Sequence, residues 1–254
     1  MKIVVLVKQV PDTYGERLLD TDTGTLVRSG VDLVLDEVTE RAIEVALRQK
    51  DADGSEVVLM TMGPASAADS LRKGLAIGAD SAVHVTDDAL AGSDLLRTSA
   101  VLAAALRREG FDVVLAGNES TDGRGGVLAA MLAERLSLPH ATHLGSVSLS
   151  DGQVTGDRAG ETVLRTVSAE LPAVVSVTET NPEARFPTFK NSMRAKKKPI
   201  KTVPLADLDV EPAASGTVVL NSSRRPPRTA GVRVVDDGTA AHELAKFLKT
   251  SNLI

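Results

Sequence analysis

The feature that most constrains the fold of this chain is a repeated alternation of short apolar runs with amphipathic segments. Aliphatic and β-branched residues dominate the runs at Lys2–Lys8, Glu56–Met62, Ser81–Val85 and Phe111–Ala116. Continuous apolar runs of this length are typical of strands that are buried on both faces of a parallel sheet. Because strand and helix patterns alternate four times, the sequence predicts an α/β fold with a doubly wound, mostly parallel sheet.

Helices are expected where apolar residues recur at intervals of three and four. This spacing covers Asp36–Gln49, Ala65–Ile77 and Gly125–Leu136, and Ser93-Asp94 is a typical start for one more helix. A short amphipathic helix is expected near the end of the chain, at Ala240–Lys249.

The pattern changes after Pro139. Two short segments, Gln153–Thr155 and Thr162–Ala169, predict antiparallel strands, and Leu171–Thr178 predicts one more buried strand. Prolines and basic residues interrupt every period between Thr180 and Lys201, so we expect neither helix nor strand there.

The C-terminal part of the chain lacks the apolar periodicity of the rest, apart from its last helix. We therefore predict a compact nucleotide-binding domain over residues 1–199 and an arm over residues 200–254. An arm that cannot bury itself usually packs on another chain.

Composition excludes several classes of protein. The chain has no cysteine, which excludes a disulfide scaffold, a thiolate zinc site, an iron–sulfur site and a cysteine nucleophile. No apolar run reaches the ~18 residues that span a membrane, and Met1-Lys2 leads directly into a strand without a visible signal peptide. We therefore expect a cytoplasmic protein.

A glycine- and hydroxyl-rich segment, Ala116–Val127, follows the fourth predicted strand and opens a predicted helix. Ligands of open α/β sheets bind at this end of the strands. Glycine lets the backbone approach a ligand closely, and free N–H groups at a helix start favour phosphate, even without a lysine. A plain strand–helix turn with a capping Asp or Ser also accounts for these residues, but the density of glycine and hydroxyl groups favours a site. Neither a Walker A motif nor a G-x-G-x-x-G fingerprint is present.

A basic stretch, Glu183–Lys201, carries seven Lys or Arg residues against one Glu and contains Phe186 and Phe189. Three interpretations are open: a solvated basic loop, a nucleic-acid surface, or a docking loop whose apolar anchor is Phe186, Phe189 and Met193. A net charge of −5 and an aromatic content of 2% argue against nucleic acid. Exposed phenylalanine is costly without a partner, which favours docking.

Residues for bond-making chemistry are few. His140 and His143 have a spacing that could ligate a metal, but no third ligand is suggested, so a structural role is favoured. Helix capping explains the carboxylates of Asp36 and Glu37. No Ser–His–Asp or paired-carboxylate arrangement is present, so the sequence predicts no catalytic residue and no metal. A nucleotide site without such residues indicates binding or electron transfer.

Several motifs occur in a defined order along the chain. They are Val7–Asp12, Asp36-Glu37 with Ala42–Glu44, Gly78–Asp80, Ala116–Asp122, Arg185–Lys198 and Arg228–Gly231. With these motifs the chain resembles the small (beta) subunit of electron transfer flavoproteins over essentially its whole length.

This resemblance implies a Rossmann-like domain that binds an adenine nucleotide and pairs with a larger alpha subunit, which holds most of a redox FAD. The FAD ring would face Asp12, Thr13 and Tyr14. The chain itself would bind AMP in a structural role, and at Gly125–Val127 the phosphate contacts would be mainly backbone N–H groups. By position in the family, the residues that line AMP would be Leu6, Asp36, Glu37, Val38, Thr39, Met62, Gly117, Asn118, Glu119, Ser120, Thr121, Asp122, Gly123, Arg124, Gly125, Gly126, Val127 and Leu128.

The resemblance also identifies residues 181–199 as a recognition loop that docks flavin dehydrogenases through one apolar side chain. That anchor is often Leu in the family and is Phe189 here. Electrons would come from enzymes such as acyl-CoA dehydrogenases and pass to a respiratory acceptor, a membrane quinone oxidoreductase. The further docking residues would be Arg185, Phe186, Lys190 and Met193.

Two alternatives stay open at this point. In some relatives a second FAD replaces AMP and the protein bifurcates electrons. A chain with this type of sheet could also be a stand-alone regulatory module that binds ATP or AMP without a partner.

Overall fold

A computed structural model of the chain describes residues 1–150, 152–211, 215–228 and 230–254. Thr229 of the Arg228–Gly231 motif lies outside the described residues. The strands are β1 (Lys2–Leu6), β2 (Gln9–Pro11), β3 (Leu33–Leu35), β4 (Glu56–Met62), β5 (Ser81–Val85), β6 (Val113–Gly117), β7 (His140–Leu144), β8 (Ser148–Ser150), β9 (Gln153–Ala159), β10 (Leu164–Glu170), β11 (Ala173–Val177) and β12 (Ile200–Val203). The helices are α1 (Glu37–Asp53), α2 (Ala67–Ile77), α3 (Leu95–Glu109), α4 (Leu128–Leu136), α5 (Phe189–Ala195) and α6 (Ala240–Thr250).

Seven strands form one sheet in the order β12-β5-β4-β1-β6-β11-β7. Every pairing between neighbours in this sheet is parallel, so the predicted α/β class with a parallel sheet is confirmed. Strands β4 and β5 have the predicted bounds, whereas β1 ends earlier, at Leu6, and β6 starts later, at Val113.

Helices cover both faces of the parallel sheet. Along β1, Ile3 and Val5 belong to the core beneath α1 and α2, whereas Val4 and Leu6 belong to the core beneath α3 and α4. This alternation follows from the two-residue period of a strand. Within the described part of the chain, every hydrophobic residue of the buried core is Ala, Val, Leu, Ile or Met, as the low aromatic content requires.

Helix α4 begins at Leu128, so the expected start at Gly125 is wrong. Arg124 and Gly126 have φ values of 48° and 67°, which lie in the left-handed region and cannot continue a right-handed helix. The connection between β6 and α4 is therefore longer than expected. We call residues 118–127 the glycine-rich loop.

The expectation of neither helix nor strand between Thr180 and Lys201 is also wrong. Helix α5 starts after Thr188, whose Oγ1 accepts a hydrogen bond from the Asn191 N–H at 3.2 Å. Strand β12 starts at Ile200 and pairs in parallel with β5. Both elements are short, and β12 is an edge strand, so neither produces a clear apolar period.

A second, antiparallel sheet contains β8, β9 and β10. It confirms the expected antiparallel pair as β9 and β10. Strand β9 extends beyond the predicted end to Ala159, whereas β10 is shifted and covers Leu164–Glu170. Strand β7 was not expected, because it lies at the edge of the parallel sheet and exposes His140 and His143.

The arm was expected to begin at residue 200, but its first residues form β12, which is a strand of the parallel sheet. Leu208, 8% exposed, also packs in the core beneath α3 and α4. Further on, Ser215 Oγ donates to the Gly92 carbonyl and Ser222 Oγ donates to the Thr21 carbonyl, both at 2.8 Å. The expected terminal helix is confirmed as α6, and it buries none of its residues. Among the helices in the described ranges, none has the length and apolarity needed to cross a membrane.

Candidate functional site

The glycine-rich loop lies at the carboxyl edge of the parallel sheet. It follows Gly117, the last residue of β6, and the Asn118 N–H donates to the Val177 carbonyl at the end of β11, at 2.8 Å. Because the strands are parallel, Leu6 at the end of β1 and Met62 at the end of β4 lie at the same edge. Ligands of open α/β sheets bind at this edge.

One buried carboxylate joins the glycine-rich loop to α1. Asp36 is 0% exposed, and its Oδ1 accepts from the Val38 N–H at 3.0 Å, so the expected capping role is confirmed. Its Oδ2 accepts from both the N–H and the Oγ1 of Thr121, at 2.7 and 2.8 Å. The same side chain therefore starts the helix and holds the middle of the loop, next to the buried Thr39.

A second carboxylate, that of Asp122, anchors the loop to two cations. Lys8 Nζ lies 2.7 Å from Asp122 Oδ1 and 3.1 Å from Ser120 Oγ, and Arg28 Nη2 lies 2.5 Å from Asp122 Oδ2. Burial alone would raise the pKa of the Asp122 carboxyl, but the hydrogen bonds from Lys8 and Arg28 hold that pKa well below its usual range. The sequence did not identify Lys8 or Arg28 as residues of the site, because their partner Asp122 lies far along the chain.

Replacing Asp122 by asparagine is expected to lower the free energy of unfolding by about 1–2 kcal/mol at neutral pH, since both cations remain partly exposed. The folded-state pKa of Asp122 is lowered, so its stabilisation is complete above its ordinary pKa of 3.8 and is lost as the pH falls toward the folded value. Urea denaturation of wild type and D122N across acidic pH tests this. A difference between the two proteins that persists unchanged well below pH 3.8 is the contrary result.

The start of α4 suits an anion. Val127 occupies the N-cap position and provides no side-chain hydrogen bond, so the first N–H groups, beginning with that of Leu128, stay available. Gly117 sits so close to α1 that an added Cβ would lie 3.1 Å from Val38 Cγ1. The Asn118 Oδ1 is buried and has no hydrogen-bond partner among the described residues. The available amides and the spare acceptor fit a nucleotide with a phosphate.

The other residues of the loop line the same edge. An added Cβ on Gly123 would lie 3.7 Å from Lys8 Nζ, one on Gly125 would lie 3.2 Å from Leu95 of α3, and one on Gly126 would lie 4.0 Å from the His143 ring. The loop thus lies close to Lys8, which follows β1, and to α3 and β7. The structure brings this loop, Gly117 and the start of α1 together at the carboxyl edge of the sheet.

A cavity of about 490 Å³ opens beside this edge. The Arg17 guanidinium donates to the Thr121 carbonyl at its wall, and Tyr14 next to it is 99% exposed. The N–H of Tyr14 donates to Asp12 Oδ1 at 2.9 Å, which fixes the turn that presents the ring. Sequence reasoning missed Arg17. The residues that line the cavity are Thr13, Gly15, Arg17, Glu37, Thr121 and Arg124.

An exposed apolar surface lies about α5, within Arg185–Lys198, which we call the recognition segment. Phe186 is 92% exposed, Phe189 85% and Met193 52%. Exposed basic residues surround them, including Lys190. Arg185, expected to face a partner, instead forms ion pairs with Glu44 and Asp51 of α1.

None of the histidines in the described ranges belongs to a group of side chains that could hold a metal ion. His84 Nε2 lies 3.1 Å from the Gly63 carbonyl, and His143 has a positive φ of 59° in β7. Across the described ranges, no group of three His, Cys, Asp or Glu side chains is arranged to hold a metal ion.

Comparisons with known proteins agree on one family. A family model described as "Electron transfer flavoprotein domain" matches residues 23–208. The chain is 47% identical to an electron transfer flavoprotein subunit beta from Mycobacterium tuberculosis over 263 aligned residues, which cover 99% of each chain. It is 34% identical to a caffeyl-CoA reductase–Etf complex subunit from Acetobacterium woodii, over 98% of this chain and 96% of that one.

Proposed function

This chain belongs to the electron transfer flavoprotein beta-subunit family, and on that premise we propose that it serves as the nucleotide-binding and docking subunit of a two-subunit electron carrier. The observation that carries the proposal is the glycine-rich loop, held by Asp36 and Asp122 in front of the uncapped start of α4. Membership of this family supports an electron carrier rather than an enzyme.

The nucleotide proposed for this loop is AMP, in a structural role. The N–H groups at the start of α4 would hold its phosphate, and its base or sugar would lie at the carboxyl edge of the sheet beside the glycine-rich loop. The buried Oδ1 of Asn118 supplies an acceptor that the protein itself leaves unused within the described residues. These features fit AMP without a phosphate-binding lysine, because Asp122 and Ser120 engage Lys8.

The alpha subunit would hold most of the FAD, whose flavin ring takes up and releases electrons when it is bound. This chain's contribution is the turn around Asp12, Thr13 and Tyr14. Its exposed Tyr14 ring and the adjoining cavity offer a surface that the second subunit can cover.

The recognition segment would dock the electron donor, a flavin dehydrogenase such as an acyl-CoA dehydrogenase. An exposed phenylalanine surrounded by basic residues fits an apolar pocket with an acidic rim, because the apolar contact gives affinity and the charges steer association. The electrons would leave to a membrane quinone oxidoreductase.

The arm beyond Leu208 would pack on the alpha subunit. It exposes apolar side chains in two stretches and again in α6, where Leu244 and Phe247 are 59% and 58% exposed. Exposed apolar residues in such number mark an interface rather than a free surface. The residues of the two stretches are Val218, Val219, Leu220, Val232, Val234 and Val235.

Co-expression with and without an electron transfer flavoprotein alpha subunit tests this function. The chain purified alone is expected to be colourless, and the complex is expected to be yellow with one bound FAD per pair of subunits. Deleting residues 209–254 should abolish the yellow complex while leaving the parallel sheet intact, because β12 precedes the deletion. A chain that binds ATP tightly without any partner, and that loses little on this deletion, would instead be a stand-alone regulatory module.

A further inference from the structure

Cationic side chains attach both ends of the recognition segment to the domain, and between these ends α5 buries Ala195 but exposes Phe189 and Met193. We infer that Arg185 and Lys198 are positioning residues, which hold the segment in its donor-binding shape and so determine how tightly the electron donor docks. This inference rests on the proposed docking function. It assigns distinct roles to residues that share one basic stretch.

The first fixed end is a fork between Arg185 and Glu44 of α1. The Arg185 Nε and Nη2 donate to the two Glu44 carboxylate oxygens at 2.9 and 3.1 Å, and the Arg185 backbone N–H donates to the same carboxylate at 3.1 Å. A further bond runs from Nη1 to Asp51 at 2.7 Å. Both the side chain and the backbone of Arg185 are therefore attached to one helix.

The environment of Glu44 makes this fork stronger than a surface ion pair. Glu44 is 5% exposed, so its carboxylate has few alternatives to Arg185 and Arg48. Burial would raise the pKa of Glu44, yet the hydrogen bonds from Arg185 lower it overall. A bidentate guanidinium has a fixed planar geometry, which a lysine cannot reproduce.

The second fixed end is a reciprocal exchange with α2. Lys198 Nζ donates to the carbonyl of Leu75 in the last turn of α2, at 3.1 Å, and to the carbonyl of Ala79 just after that helix. In return, Arg72 of α2 donates to the carbonyls of Ala195 and Lys198 at 2.8 and 2.6 Å. Helix α2 has no basic residue in its own last turn, so Lys198 provides the cation that such a helix end favours.

The lysines next to Lys198 differ from it. Lys196 and Lys197 are exposed, and their side chains donate no hydrogen bond within the described ranges, whereas Lys198 is half-buried. The lysines of this stretch therefore have two different roles. Lys196 and Lys197 can attract a partner electrostatically, whereas Lys198 acts through its hydrogen bonds to the end of α2.

Attachment at both ends matters because the segment presents two exposed phenylalanines. A loose segment would fold its apolar side chains onto the domain or sample many shapes, and a partner would have to bear the cost of ordering it. Apparent affinity falls in proportion to the fraction of molecules that hold the competent shape. The attachments should therefore affect donor binding and leave the flavin chemistry unchanged.

The test uses the full two-subunit complex with variants R185K, E44Q and K198A, and with K197A as the matched control. R185K keeps the charge and loses the fork, E44Q keeps the shape and loses the ion pair, and K197A removes a charge without a fixed contact. Steady-state reduction by a purified acyl-CoA dehydrogenase gives KM and kcat for the complex. Hydrogen exchange measures the amides of residues 186–197 without any donor, and dithionite reduction reports whether the flavin is competent.

We expect R185K, E44Q and K198A each to raise KM by about tenfold with kcat unchanged, as for a segment that is competent about a tenth of the time. The same variants should lose exchange protection in residues 186–197 only. The R185K/E44Q double variant should be no worse than either single variant, because both disrupt one contact. K197A should keep full protection.

Protection that is unchanged in R185K and E44Q overturns the inference, as does a KM that stays at the wild-type value while protection is lost. Loss of FAD or protection throughout the domain in all three variants also overturns it, since the residues would then be structural for the whole chain. A wild-type complex that dithionite reduces but the dehydrogenase does not would count against the docking function alone. The exchange measurement would still decide whether the two attachments order the segment.

Discussion

Replacing Asp36 by alanine is expected to lower the free energy of unfolding by about 3 kcal/mol and to remove the bound nucleotide from the complex. The side chain is completely buried and accepts from Val38 N–H and from two groups of Thr121. Alanine leaves all three donors without a partner, removes the cap of α1 and releases the middle of the glycine-rich loop.

The measurements for D36A are the chemical denaturation of the two-subunit complex and its nucleotide content after acid extraction. The matched control is D87A, because Asp87 caps a short turn by accepting from the Ala89 N–H at 2.9 Å and forms no hydrogen bond with the loop in the described ranges. D87A should cost about 1 kcal/mol and retain the nucleotide. Full nucleotide content in D36A would show that Asp36 does not organise the site.

Replacing Phe189 by alanine is expected to raise the KM of the dehydrogenase reaction by about 30- to 1000-fold, the range for a central anchor worth about 2–4 kcal/mol. Phe189 is 85% exposed at the start of α5, and Thr188 caps that helix, so the ring projects from an ordered backbone. FAD and AMP contents should stay at the wild-type level, because the ring lies apart from the glycine-rich loop.

Two further variants make the Phe189 prediction specific. F189L should retain most of the activity, because leucine is a similar apolar anchor. L164A is the matched control, since Leu164 is 69% exposed on β10, outside the recognition segment, and it should leave KM unchanged. Loss of FAD in F189A would mean that the ring is structural. An equal rise in KM for L164A would mean that the effect of F189A is not local.

The sequence predicts the parallel sheet well because its strands are continuous apolar runs, which only burial on both faces explains. Glu56–Met62 and Ser81–Val85 are such runs, and their bounds agree with β4 and β5. Edge strands are harder to predict. β7 and β12 have one exposed side, so their sequences lack that continuous run.

Helix α5 was missed for a different reason. Its seven residues are too few for a helical period, and it is stabilised by the Thr188 cap and by the bonds from Arg72 to the end of the segment. Such tertiary contacts cannot be inferred from local spacing.

The candidate site also has a part that the sequence predicts and a part that it does not. Glycine density marks Ala116–Val127 in the sequence, so the position of the glycine-rich loop could be predicted. Its attachments could not, because Lys8 and Arg28 meet Asp122 across 114 and 94 positions of the chain. Only the folded sheet brings these charges together. The same holds for Arg185 and Glu44, which lie 141 positions apart.

The nucleotide content of the wild-type complex tests the central claim most directly. The complex with the alpha subunit is purified, its nucleotides are released with acid, and FAD and AMP are quantified against the protein. The account predicts equal amounts of FAD and AMP, one of each per pair of subunits. Two FAD and no AMP would instead indicate the bifurcating type, and the absence of any adenine nucleotide beyond the single FAD would contradict the site assigned to the glycine-rich loop.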